Sequence, residues 1–175
     1  NTPFERQKIT VDDSTQYDHY TFLQSTLSNN DYRQYEVSTF ARPGLESRHN
    51  IKYLIFEPFI GLGPGAHSFF QGRRYANKSD YRQYTSFLHE LVPTELQTIT
   101  DQDWPDYIAT RLRYKRPIYR HDILQYFQTD YFSQLAPKLR EFSLMGWIDM
   151  GDDWFMISDK GFIVLDEVLC HLVLN

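Results

Sequence analysis

The chain has 175 residues, of which 41% are apolar and 17% aromatic, enough core for one large or two small domains and too much for a disordered tail. Its formal charge is −5, from 18 basic and 23 acidic residues. The acidity is concentrated after residue 118, whereas Arg33 to Arg82 carries eight Lys or Arg against Glu36, Glu46, Glu57 and Asp80, a balance that favours an anionic ligand there. A single cysteine, Cys170, excludes an intramolecular disulfide and any multi-cysteine metal site within this sequence, and suits a reducing, cytoplasmic setting.

No charged segment followed by an apolar one opens the chain, and no apolar run approaches the roughly 20 residues that a membrane helix needs. The first residues, Asn-Thr-Pro-Phe, are expected of a segment of a longer protein. Residues 1–14 are polar and without period. From Ser14 a helix is predicted, with Tyr20, Leu23 and Leu27 on one face and Asn29-Asn30-Asp31 closing it. Tyr35 to Phe40 has the alternation of a strand, and Leu54 to Ile60 has a β-type composition interrupted by Pro58.

These two predicted strands would deliver two polar loops, one holding Arg48-His49-Asn50 and one holding Gly61-Leu62-Gly63-Pro64-Gly65. Two strands are too few for a stable open sheet, so others are expected to precede them or to come from another chain. Asn77 to Leu91 reads as a helix capped by Asn77 or Ser79, and Pro93 to Thr100 as a linker.

Beyond it, helices are predicted from Asp103–Pro105 to Arg113, over Arg120 to Phe127, and through Phe132, Leu135, Leu139 and Phe142 with Pro137 inside. Gly146 ends the last of these. Trp147–Met150 and Trp154–Ile157 read as a hairpin, and Ser158 caps a final helix with Phe162, Leu165, Leu169 and Leu172 inward. Helices, a wing and a closing helix predict a winged-helix-like domain. Such domains often bind nucleic acid, but here the wing turn is Gly-Asp-Asp, and Lys138 and Arg140 face Asp130 and Glu141, a pattern that repels phosphate.

Several residues carry chemistry. Gly61-Leu-Gly-Pro-Gly-Ala66 matches a dinucleotide fingerprint only superficially, because Pro64 and the Phe69-Phe70 run oppose a following helix. A structural turn and a ligand-contacting backbone loop are both open readings of it. His49 and His67 suit either metal or haem ligation or ordinary loop hydrogen bonds. Arg42, Arg48, Arg73 and Arg74 suit either ligand carboxylates or solvated surface. No Gly-x-Ser-x-Gly elbow is present, which sets a hydrolase aside.

Taken together, YEVSTFARPGLESRHNIKY, YLIFEPFIGLGPGAHSF and GRRYAN resemble the C-terminal half of the oxygen-independent coproporphyrinogen III oxidase and haem chaperone family of radical S-adenosylmethionine proteins. The resemblance is closer to the chaperone-like branch. It implies an α+β fold in which residues 1–92 form the last strands and helices of a partial (β/α) barrel and residues 93–175 the winged-helix-like domain.

By the same resemblance, Gly61, Gly63, Gly65, Ala66 and His67 form the S-adenosylmethionine loop, and His49, Asn50 and Tyr53 are haem contacts. The chaperone branch carries His-Asn-x-x-Tyr-Trp, and here Leu54 stands in place of Trp. The parent would hold a four-iron four-sulfur cluster through a Cys-x3-Cys-x2-Cys motif that this sequence lacks, so the segment is not expected to catalyse alone. Expected partners are haem or a porphyrinogen, a haem-acceptor protein, and a second copy through an exposed sheet edge, without nucleic acid or a membrane span. An interaction module with no haem or catalytic role is the competing reading.

Overall fold

The computed structural model describes residues 11–87, 96–98, 100 and 103–173. It contains two compact units, the first ending at Glu46 and the second beginning at Ser47.

In the first unit, helix α1 (Asp13–Ser28) starts where the Asp12 carboxylate accepts the Thr15 N–H at 2.9 Å. Hydrogen bonds from Ser14 and Thr15 hold that carboxyl well below the usual carboxylate range. Strands β1 (Arg33–Glu36) and β2 (Thr39–Ala41) follow as an antiparallel hairpin. The single strand expected over Tyr35–Phe40 is therefore two strands around a turn. The turn is made by Glu36, whose buried carboxylate accepts the Ser38 N–H and Oγ–H, each at 3.1 Å, and the Thr39 Oγ1–H at 2.7 Å. The expected apolar stripe of α1 is not buried, since the helix has no buried residue. It meets the hairpin by polar contacts instead, with Tyr20 Oη donating to the Val37 carbonyl at 2.9 Å and Gln24 donating to Gln34 at 2.7 Å.

The second unit opens with helix α2 (Arg48–Leu54), where a polar loop and the start of a strand were expected. Ser47 supplies the reason: its hydroxyl accepts the Asn50 N–H, an N-cap that sequence inspection passed over. The run after it does not form the predicted strand either. Phe56 takes a left-handed φ of 57°, Pro58 follows, and only Phe59 pairs, exchanging two backbone bonds with Phe69 at 2.7 and 2.9 Å.

Strands β3 (His67–Phe70), β4 (Arg73–Ala76) and β5 (Leu96–Thr98) form an antiparallel sheet in that order. The β3–β4 turn is Gln71-Gly72, both at positive φ, as a tight hairpin requires. Strand β5 occupies part of the stretch read as linker. Helix α3 (Tyr81–Phe87) begins at Asp80, whose carboxylate accepts the Gln83 N–H at 2.9 Å, so neither Asn77 nor Ser79 is its cap. Residues 88–91 of that expected helix lie outside the described residues.

The rest of the unit follows the predicted order closely: α4 (Trp104–Leu112), β6 (Ile118–Tyr119), α5 (Arg120–Phe127), α6 (Tyr131–Leu144), β7 (Ile148–Met150), β8 (Trp154–Ile157), α7 (Asp159–Ile163) and α8 (Leu165–Val173). Strand β6 was not foreseen and extends the hairpin to a three-stranded sheet of order β6-β8-β7. The closing helix is interrupted at Val164, and Val168, fully buried, takes the inward place expected of Leu169. Asp130 caps α6 and pairs with Arg120; Ser133 first and Arg120 next hold its carboxyl below the ordinary range. Ile108, Leu112, Ile118, Ile123, Leu139 and Phe155 have no exposed surface. Contacts run across residue 92: β4 pairs with β5, Arg74 bonds Asp106 at 2.8 Å, and the Phe56 ring lies 4.9 Å from that of Tyr107. Among the described residues, no helix is long and apolar enough to cross a membrane.

Candidate functional site

Helix α2 places His49 and Tyr53 one turn apart on an exposed face. The Tyr53 hydroxyl lies 2.8 Å from His49 Nε2, and the rings meet edge to face at 4.9 Å. On its other side the Tyr53 ring packs edge to face on Phe59 at 4.4 Å. Asn50 is exposed on the same helix. Leu54 is buried, so the residue standing where the chaperone branch has Trp faces the core.

The glycine loop is held in one shape by its own surroundings. Gly61 N–H donates to Ser68 Oγ at 2.9 Å and Gly63 N–H to Tyr84 Oη at 3.1 Å. Gly65 N–H donates to the Lys78 carbonyl at 3.0 Å, and Ala66 N–H to that of Gly63 at 3.3 Å. The Asn77 amide donates to the Gly61 and Gly63 carbonyls at 3.3 and 2.9 Å. With these four N–H groups engaged internally, the loop is not a phosphate-binding nest. What it presents instead is close backbone, the exposed side chain of Leu62 and, at its end, the exposed imidazole of His67.

A pocket of about 220 Å³ is lined by one residue from each candidate group, Tyr53 and His67. Tyr53, Phe56, Phe59 and Phe69 give it aromatic walls, and His67 and Arg74 give it polar ones. His49 is not part of this lining and touches it only by its contact with Tyr53. Of the four arginines proposed for anion recognition, Arg74 is already paired with Asp106 and lies over the Phe56 ring at 5.8 Å; Arg42 lies over Tyr32 in the first unit. Arg48 and Arg73 are exposed. Sequence inspection missed Ser68, Asn77 and Tyr84 as braces of the loop. Nothing in the local pattern marks them, because their partners are backbone groups 7 to 21 residues away.

No protein-family model matches the chain. Among curated proteins it is 26% identical to the "Heme chaperone HemW" of Escherichia coli (strain K12) over 174 residues, which cover 97% of this chain and 46% of that protein. It is 40% identical to the "Heme chaperone HemW" of Lactococcus lactis over 78 residues, 45% of this chain and 20% of the relative. The chain thus spans less than half the length of these relatives. Among solved structures, the Escherichia coli coproporphyrinogen III oxidase HemN, a radical SAM enzyme, superposes with a TM-score of 0.63 and 17% identity, over 87% of this chain and 39% of that one. At that identity the likeness is one of fold, a mixed arrangement of helices and sheets. The chain is therefore similar along almost its whole length to a haem chaperone, on a backbone shared with the oxidase, and resembles the coproporphyrinogen III oxidase and haem chaperone family of radical S-adenosylmethionine proteins.

Proposed function

We propose that the chain is the haem-handling C-terminal part of a cytoplasmic radical S-adenosylmethionine protein, and that His49 ligates haem iron with Asn50 and Tyr53 beside it. One observation carries this reading: His49 and Tyr53 stand one turn apart on an exposed helical face, and Tyr53 lines an aromatic pocket. A neutral imidazole nitrogen is a good haem ligand, and flat aromatic walls suit a macrocycle edge. The names of the relatives agree with a haem or porphyrin ligand.

Gly61, Gly63, Gly65, Ala66 and His67 are proposed to line the S-adenosylmethionine pocket of the longer parent. The fit rests on close backbone approach at the glycines and on the exposed imidazole, not on the loop's N–H groups. When bound to an iron–sulfur cluster there, the cofactor supplies radical chemistry; the cluster's cysteine triad is not in this sequence, so the segment binds and positions without catalysing. The order β6, α5, α6, β7, β8 supports a winged-helix-like domain over residues 93–175, after the last barrel elements in residues 1–92. Its place in the scheme is to dock a haem-acceptor protein.

The test is an absorption titration of the chain with haem beside His49→Ala. A Soret shift that saturates at one haem per chain should weaken by about tenfold or more in the variant, the effect of removing one contact worth about 1.4 kcal/mol. No specific shift, or the same shift in both, rejects the haem reading and favours an interaction module.

A further inference from the structure

We infer that Tyr53 restrains His49, holding the nitrogen that haem iron needs, and so lowers haem affinity instead of adding to it. This rests on the haem reading above. A neutral imidazole has one N–H and one lone pair, and a metal takes the lone pair. At 2.8 Å the Tyr53 hydroxyl is hydrogen-bonded to Nε2. Of the two groups the phenol O–H is the better hydrogen-bond donor and the imidazole lone pair the better acceptor. The bond therefore runs from the phenol O–H to the Nε2 lone pair, with the proton of His49 on Nδ1. Iron and phenol compete for one orbital.

The Tyr53 ring is exposed on the helix face but packs between the edge-on imidazole at 4.9 Å and Phe59 at 4.4 Å, and it forms part of the pocket wall. Ligation at Nε2 requires the hydroxyl to turn away or the imidazole to rotate off it. For a carrier that must also release its cargo, the phenol supplies the returning partner: once iron leaves, the lone pair is recaptured within the same helix turn. Tyr53 is thus a positioning residue acting through His49.

The variant that isolates this is Tyr53→Phe, which keeps the ring and its packing and removes only the hydroxyl. Haem affinity is expected to rise about two- to tenfold, the range of one net hydrogen bond. Two readouts do not depend on haem. In the ¹⁵N NMR spectrum of the haem-free chain, His49 should be the Nδ1–H tautomer in the parent sequence and a mixture of both in Tyr53→Phe. Carbethoxylation by diethyl pyrocarbonate, resolved by peptide mapping among the six histidines, should be faster at His49 in the variant. If Tyr53→Phe binds haem more weakly, the hydroxyl is a haem contact and the inference is overturned. If neither protein binds haem, the haem reading fails by itself, and an unchanged tautomer and carbethoxylation rate would overturn the restraint as well.

Discussion

Gly61 is a residue that steric contact alone demands. A Cβ built there would lie 2.1 Å from the His67 carbonyl oxygen, a backbone atom that cannot swing aside. Gly63 is needed for a different reason: its φ of 107° is strained for any L side chain, yet nothing lies within 4 Å of its would-be Cβ. The two substitutions should therefore separate. Gly63→Ala is expected to cost about 1–3 kcal/mol of backbone strain. Gly61→Ala should cost more than about 3 kcal/mol, in the tail reserved for overlaps that displace backbone, and should shift the loop that carries His67. Urea unfolding of both variants decides it; equal losses would mean that the Gly61 contact relaxes freely.

At the scale of elements, legibility tracked how far away an element's partners lie. The helices α4, α5 and α6 could be read because their signals are local and periodic: Phe132, Leu135, Leu139 and Phe142 are spaced as one face and are all buried as one face. The region holding the site was harder. Leu54 to Ile60 has strand composition, but the Ser47 cap starts a helix upstream and Phe56 turns the chain at positive φ, so only Phe59 reaches the sheet. Strand β5 is too short and polar to announce itself and exists because β4 offers it an edge. His49, Tyr53 and His67 could be named as candidates beforehand, while the meeting of Tyr53 and His67 in one pocket depends on the β3–β4 hairpin. Asn77 shows the limit most clearly. It has the composition of a helix cap and is instead the brace of the glycine loop, so Asn77→Ala should leave α3 intact. The expected loss is about 1–2 kcal/mol for two part-buried acceptors deprived of their donor, with faster hydrogen exchange at the Gly63 amide. If exchange at Gly63 stays as slow as before, Tyr84 holds the loop by itself and the brace is misassigned.

At the scale of the whole second unit, an aromatic seam joins the site to the helical core. Phe56 contacts Phe69, Tyr107 and Tyr126, and the Tyr126 hydroxyl donates to the Phe56 carbonyl at 3.3 Å. Burial in this seam pushes the Tyr107 phenol up to about 12; the nearby charge of Arg111 pulls it the other way, and Asp122 and Tyr126 add to the rise. The Tyr126 phenol is raised too, again mainly by burial. In the unfolded chain Tyr107 ionises near 10. Between pH 10 and 12 the unfolded chain therefore gives up a proton that the folded chain retains, so the stability contributed by the neutral phenol is complete below 10 and is lost as pH rises toward 12. A displacement of about two pH units corresponds to about 2.7 kcal/mol for this 3%-exposed residue. Tyr107→Phe should remove that share of the alkaline decline, leaving the part due to Tyr126. At pH 7, where the phenol is neutral in both states, it should cost only about 1 kcal/mol. Urea midpoints at pH 7, 10 and 11.5 for both proteins measure the difference. A variant that declines as steeply as its parent would place the alkaline weakness outside the seam, and the helical core would then have to be regarded as joined to the site by packing alone.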